Sequence, residues 1–143
     1  CIRDSRQAIQ NKKLKSFLER FSGIKDFIIG AICSGPMFLA QAGLLKEKKY
    51  TDSLFVEMRD QFSFIEEDNF EAAPVVEAGN IITAQGSAFN DFAVHVARKL
   101  GYECPDKILS GYMDNWKKED YIHHLSKEEL QEFQEEFQEF LSK

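Results

Sequence analysis

The stretch "DFIIGAICSGPMFLAQAGLL", residues 26–45, runs a nearly all-apolar segment straight into a cysteine, two small residues and a proline. An apolar run without polar alternation suits a strand buried on both faces, as in a parallel sheet covered by helices. Pro36 fits the first turn of a helix, where its fixed φ is already right and its missing N–H is not needed. Strand, cysteine, tight turn and helix together make the pattern of a nucleophile elbow. Such a turn pushes the side chain of Cys33 into the open at the carboxyl end of the sheet, where α/β folds place ligands. The helix start adds partial positive charge and unbonded N–H groups, which favour thiolate over thiol and make a cysteine reactive near neutrality. The backbone N–H of Ser34, with Gly35 beside it, is in place for an oxyanion donor. Gly30, Ala31, Ser34 and Gly35 give the backbone the room that a sharp turn needs. The competing reading is plain: a free cysteine is among the most buried residue types and often only fills space. The pattern alone leaves both open. Cys1, at a chain start, and Cys104, in a loop before Pro105, read as incidental.

Bulk properties narrow the setting. The 143 residues fit one globular domain, 43% hydrophobic and 29% charged, with no repeat or linker to mark a second. A net charge of −6 argues against nucleic acid or an anionic membrane surface as a main partner. No apolar run approaches the roughly 20 residues of a membrane span. Three widely spaced cysteines fit neither a disulfide framework nor a zinc set, so no metal or cofactor is expected and the default location is the reducing cytoplasm. The chain opens on "CIRDS" and runs quickly into an amphipathic helix, so an N-terminal portion is expected to precede it.

Around the elbow, Asp4 or Ser5 would cap a helix reaching about Phe21, with a break near Asn11 and a stop at Gly23. "KKYT" reads as a short strand, and "LFVEMRDQFSFIEEDNF" as a turn or two of helix followed by irregular chain. In "APVVEAGNIITAQ", strands Val75–Val76 and Ile81–Thr83 flank the tight-turn sequence "EAGN". "SAFNDFAVHVARKLG" is a helix with Phe89, Phe92, Ala93, Val96 and Leu100 on one face. Residues 126–142 form a C-terminal amphipathic helix. Ser126 and Glu129 give its capping box, Leu130, Phe133, Phe137, Phe140 and Leu141 its apolar stripe, and glutamates its outer face.

"IIGAICSGPMFLAQAGLLKEKKYT" resembles the ThiJ/PfpI superfamily, which includes the parkinsonism-associated deglycase and shares its fold with class I glutamine amidotransferases. "PVVEAGNIITAQGSAFNDFAVHVARKLG" continues the likeness as the family's hairpin, Gly-containing loop and final helix, so that it covers about residues 1 to 113. The resemblance implies an α/β, flavodoxin-like three-layer sandwich with a mostly parallel sheet. It implies one ThiJ/PfpI-like domain over 1–143, with N-terminal strands missing and poor folding of these residues alone. A glutamate that bonds the nucleophile and a second oxyanion donor would lie in the missing part. It also implies a homodimer, a stress-response setting and Cys33 as nucleophile.

Relatives place a partner histidine directly after the cysteine or shortly after the basic pair. Here those positions hold Ser34 and Ser53 or Asp52. That weighs against a Cys-His dyad and against a glutamine amidotransferase. Ser53 and Asp52 remain as accessory candidates, Asp52 favoured as a helix cap. His95 reads as structural, and His123 and His124 as solvated residues before the tail helix. Two functions are carried forward. In one, Cys33 attacks a small carbonyl-type electrophile, as glyoxalase, deglycase or hydratase enzymes do. In the other, Cys33 is a redox sensor that meets an oxidant without turnover. An α/β-hydrolase elbow is disfavoured, because "GAICSG" has one residue too many for G-x-C-x-G.

Overall fold

Short apolar strands and one tight turn set the frame. In the computed structural model, which describes residues 7–104, 117–138 and 141, β1 (Ile29–Ile32), β2 (Val75–Ala78) and β3 (Ile81–Ala84) form a sheet in the order β1-β3-β2. β2 and β3 are the hairpin that "EAGN" predicts, antiparallel with Ala78 opposite Ile81, and Gly79 turns the chain at φ 64°. Both strands run past their expected ends, to Ala78 and Ala84. β1 lies parallel to β3, with Ile32 opposite Ala84. Asn80 joins the two ends of this frame. Its amide Nδ2 donates to the carbonyls of Ile24 and Phe27, at 3.0 and 2.7 Å, and so holds the approach to β1 against the hairpin turn.

Helices cover both faces. The described helices are α1 (Lys12–Glu19), α2 (Pro36–Gln41), α3 (Val56–Gln61), α4 (Phe89–Lys99) and α5 (Lys127–Glu136). Asn11 does break the first helical stretch. Its Oδ1 accepts from the N–H groups of Lys13 and Leu14 and caps α1, while Asp4 and Ser5 lie outside the described residues. On one face of the sheet, Ala31 and Ile81 pack with Leu39, Ala40, Leu44, Leu45 and Tyr50. On the other, the missing side chain of Gly30 admits the ring of Phe92, since a Cβ there would stand 2.7 Å from it. Helix, sheet and helix therefore stack as a flavodoxin-like α/β sandwich.

Two expectations need correction. The buried residues of α4 are Asn90 and Val94; Phe92 and Val96 lie over β1, whereas Phe89 and Leu100 at its ends are 49% and 58% exposed. "KKYT" forms no strand, only a single parallel bridge from Tyr50 to Phe70.

The tail docks as its apolar stripe suggests. Ser126 and Glu129 make both bonds of the capping box. Phe133 and Phe137 stack on each other and meet the ring of Phe62 nearly at right angles, in a second core with Met37, Leu54 and Met58. Burying each phenylalanine contributes about 1.5–3 kcal/mol. The helix ends at Glu136, short of the expected 142, and Leu141 bridges back to Phe62; Phe140 lies outside the described residues. No helix among the described residues is long and apolar enough to cross a membrane.

Candidate active site

Cys33 follows the last residue of β1, and the backbone there is fixed from three sides. Its N–H donates to the Ala84 carbonyl at 3.0 Å, one step beyond the parallel ladder. Its carbonyl accepts from the Ser53 N–H at 3.0 Å. The turn is closed by the Gly35 N–H on the Ile32 carbonyl at 2.9 Å. A side chain at Gly35 would put its Cβ 2.9 Å from that same carbonyl oxygen, so glycine is required. The result is a left-handed cysteine, at φ +62°. For a residue with a Cβ this conformation costs roughly 1–2 kcal/mol, and such strain concentrates at functional sites. The side chain is half-buried, neither core filler nor fully open.

The two expected oxyanion donors separate. The Gly35 N–H is engaged by the turn, whereas the Ser34 N–H has no acceptor among the described residues. The α2 helix that follows is six residues long, so it brings only a short array of backbone dipoles.

The wall beside the thiol is built from Ser53, Gln85 and Gly86. A Cβ on Gly86 would lie 3.2 Å from the Cys33 Sγ and 3.6 Å from the Ser53 Oγ, which sets all three side by side. The Gly86 N–H donates to the Ser53 Oγ at 2.8 Å, and that hydroxyl donates in turn to the Gln85 Oε1 at 2.9 Å. The hydroxyl's single proton is thus committed to an amide, and Ser53 has none left to donate toward the thiol or a molecule bound beside it.

Asp52 points away from the thiol into the protein. At 1% exposure it accepts from the Leu54 N–H at 2.9 Å and from Arg59 Nη1 at 3.0 Å. Burial pushes its carboxyl up to about 6, against the pull of Arg59. Arg59, 2% exposed, also donates to the Leu54 carbonyl and to Glu67, and lies 3.9 Å over the ring of Phe70. This cluster anchors residues 52–54 on the inner side while Ser53 faces the cysteine. Asp52 does not cap α3; that position is Phe55, whose side chain makes no capping bond.

Of the histidines, His95 pairs with Glu77 at 2.7 Å on the surface, and Lys99 joins the same carboxylate. His124 is exposed and meets Glu57 at 3.1 Å. His123 is half-buried with its ring edge-on to Phe55, and its carbonyl accepts from the Val56 N–H at 2.8 Å. Burial, and then the charge of Arg59, hold its imidazole below the usual range. Among the described residues no His, Cys, Asp or Glu cluster could hold a metal ion. Arg59, Gln85 and Gly86 are the site's neighbours that pattern reading passes over. Gln85 offers a signal in retrospect: it continues the inward alternation of Ile81 and Thr83 and is a polar residue where the strand is buried.

Residues 3–99 match the model of the DJ-1/PfpI family. Two curated Bacillus subtilis proteins are similar. YoaZ, named an uncharacterized protease, is 33% identical over 99 residues, covering 68% of this chain and 47% of its own length. YdeA, named likewise, is 29% identical over 98 residues, covering 68% and 49%. The chain thus spans about half the length of these relatives. Among solved structures, a two-domain protein of Anabaena variabilis with DJ-1/ThiJ/PfpI-like and ferritin-like domains superposes with a TM-score of 0.58 at 21% identity, covering 78% of this chain and 33% of that one. A DJ-1 superfamily protein of Agrobacterium tumefaciens gives a TM-score of 0.55 at 24% identity, covering 86% and 55%. With this match over residues 3–99, the chain belongs to the DJ-1/PfpI family.

Proposed function

We propose that Cys33 is a reactive nucleophile that adds to small carbonyl-type electrophiles, in the manner of a glyoxalase, deglycase or hydratase. The observation that carries this reading is the left-handed backbone at Cys33, held by three hydrogen bonds and a glycine that admits no substitute. In the step envisaged, the thiolate sulfur bonds to the carbonyl carbon and the C=O π pair moves to oxygen. The Ser34 N–H, which has no acceptor among the described residues, would stabilise that oxyanion, which then takes up the proton the thiol released to water. Amide hydrolysis fits less well. A leaving amine needs a positioned acid, and the hydroxyl proton of Ser53 is committed to Gln85.

That same committed hydroxyl favours a second reading, in which Cys33 serves as an oxidation sensor. There, the thiolate attacks one oxygen of hydrogen peroxide and the O–O bond breaks, giving sulfenic acid and hydroxide, which becomes water on taking up the proton the thiol released.

Both readings share a premise that iodoacetamide labelling tests at pH 7. Cys33 in the folded, intact protein should alkylate several-fold faster than the same cysteine in urea. Equal or slower labelling removes the basis of both. Turnover of methylglyoxal that disappears in Cys33→Ser supports the enzyme. Ready sulfenic acid formation without turnover on a panel of small carbonyls supports the sensor.

A further inference from the structure

The residues after 99 lie outside the region matched by the family, yet they reach the surroundings of the thiol through one side chain. Gln85 is 1% exposed and uses both ends of its amide. Its Oε1 accepts from the Ser53 Oγ at 2.9 Å, and its Nε2 donates to the Thr51 Oγ1 at 3.0 Å and the Tyr121 carbonyl at 3.3 Å. The orientation is forced. A carbonyl has only lone pairs, so Tyr121 must face the NH₂ end. Thr51 gives its hydroxyl proton to the Ala73 carbonyl at 2.9 Å and must accept from Gln85.

From Ser53 the contacts pass directly to the nucleophile, through its N–H on the Cys33 carbonyl and through Gly86 against the sulfur. In the other direction, Tyr121 belongs to a segment laid beside residues 55–57. There the Val56 N–H donates to the His123 carbonyl at 2.8 Å, and Glu57 accepts from the Leu125 N–H at 2.9 Å and meets His124 at 3.1 Å.

We infer that Gln85 is a positioning residue that ties the 121–125 segment to the Ser53–Gly86 wall of the Cys33 turn, so that the seating of this segment sets how the thiol is presented. The inference rests on the reading of Cys33 as the reactive thiol. Its physical basis is the cost of leaving a buried amide unpaired. If the segment lifts, the Nε2 loses an acceptor and the side chain must rotate to find another, which withdraws Oε1 from Ser53. The network is satisfied as a whole or disturbed as a whole.

The test uses two variants of the intact protein with two readouts, amide hydrogen exchange and the alkylation rate of Cys33. Glu57→Ala loosens the segment from its outer side without touching the cysteine or its neighbours. The expected result is faster exchange at Val56 and also at Ser53 and Gly86, with Cys33 alkylation changed roughly three- to tenfold, the scale of one or two hydrogen bonds. Faster exchange at Val56 with Ser53, Gly86 and alkylation unchanged overturns the inference. Gln85→Glu cuts the tie from the inner side, because its carboxylate faces the Tyr121 carbonyl. Exchange at Val56 should rise here too, and a rise confined to Ser53 and Gly86 overturns the inference. In Gln85→Glu the alkylation rate, taken as a ratio to wild type at the same pH, should recover as the pH falls and a protonated carboxyl regains a donor. A role in packing alone would leave that ratio flat. Slow wild-type labelling with coupled exchange would sink the reading of Cys33 and leave the tie standing; fast labelling with uncoupled exchange would do the reverse.

Discussion

The left-handed turn at Cys33 can be weighed by comparing two substitutions that both remove the thiol. Cys33→Ala keeps a Cβ at φ +62°, and Cys33→Gly does not, so the lost sulfur contacts cancel between them. Relief of left-handed strain should favour glycine by about 1–2 kcal/mol. The extra freedom glycine gives the unfolded chain opposes this by roughly 0.5–1 kcal/mol. The net expectation is that Cys33→Gly is more stable than Cys33→Ala by about 0.5–1 kcal/mol. At an ordinary strand or helix position the sign is opposite, with glycine the weaker by about 0.5–1 kcal/mol. Urea unfolding of the intact protein at pH 7, followed by circular dichroism, measures the difference. With a slope of about 2 kcal/mol per molar urea, the midpoint of the glycine variant should lie roughly 0.3–0.5 M higher. A glycine midpoint at or below that of alanine would refute the strained elbow, and with it the main support for a functional thiol.

Two further perturbations address the walls of the site. Arg59→Met leaves the buried Asp52 carboxyl without its cation and removes the bonds to Glu67 and the Leu54 carbonyl, and should cost about 3–5 kcal/mol at neutral pH, with Asp52→Asn in the same chain restoring about 1 kcal/mol. Burial already raises the folded Asp52 carboxyl to about 6, and losing Arg59 raises it further, while the unfolded chain keeps an ordinary value near 3.9. Below the wild-type value of about 6 the carboxyl is protonated in both folded proteins, so the charge part of the penalty is absent there and grows as the pH rises above about 6; urea titrations at several pH values read this, and a pH-independent penalty contradicts it. Gly86→Ala places a methyl 3.2 Å from Sγ and 3.3 Å from the Cys33 Cβ. It should slow Cys33 alkylation at least tenfold, on the order of 1–3 kcal/mol of overpacking, and an unchanged rate would show that the thiol does not rest on Gly86.

What the sequence discloses here is what short range decides. The "EAGN" turn, the Ser126–Glu129 box and the Cys33–Pro36 elbow each depend on residues within a few positions, and each appears in the structure. The stripe on α4 misled because periodicity says which residues share a face and not which part of that face is covered. Phe92 finds the gap at Gly30, while Phe89 and Leu100 find no cover among the described residues. The partners of Arg59 and Gln85 are unreadable for a different reason. Arg59 looks like one charge in "VEMRDQ", and its burial depends on Asp52, Glu67 and Phe70 arriving from three other points in the chain. Gln85 links residues 51, 53 and 121, and no local pattern announces that meeting.

The slot at Ser53 also bears on what evolution can reach from here in one step. Its hydroxyl sits 2.8 Å from the Gly86 nitrogen and 2.9 Å from Gln85, a space measured for one oxygen atom. A side chain at position 53 without that hydroxyl deprives the buried Gln85 Oε1 of its donor, in an amide that also holds Thr51 and Tyr121. The serine slot and the glutamine are thus one unit, and a larger side chain at 53 calls for a change at 85 as well.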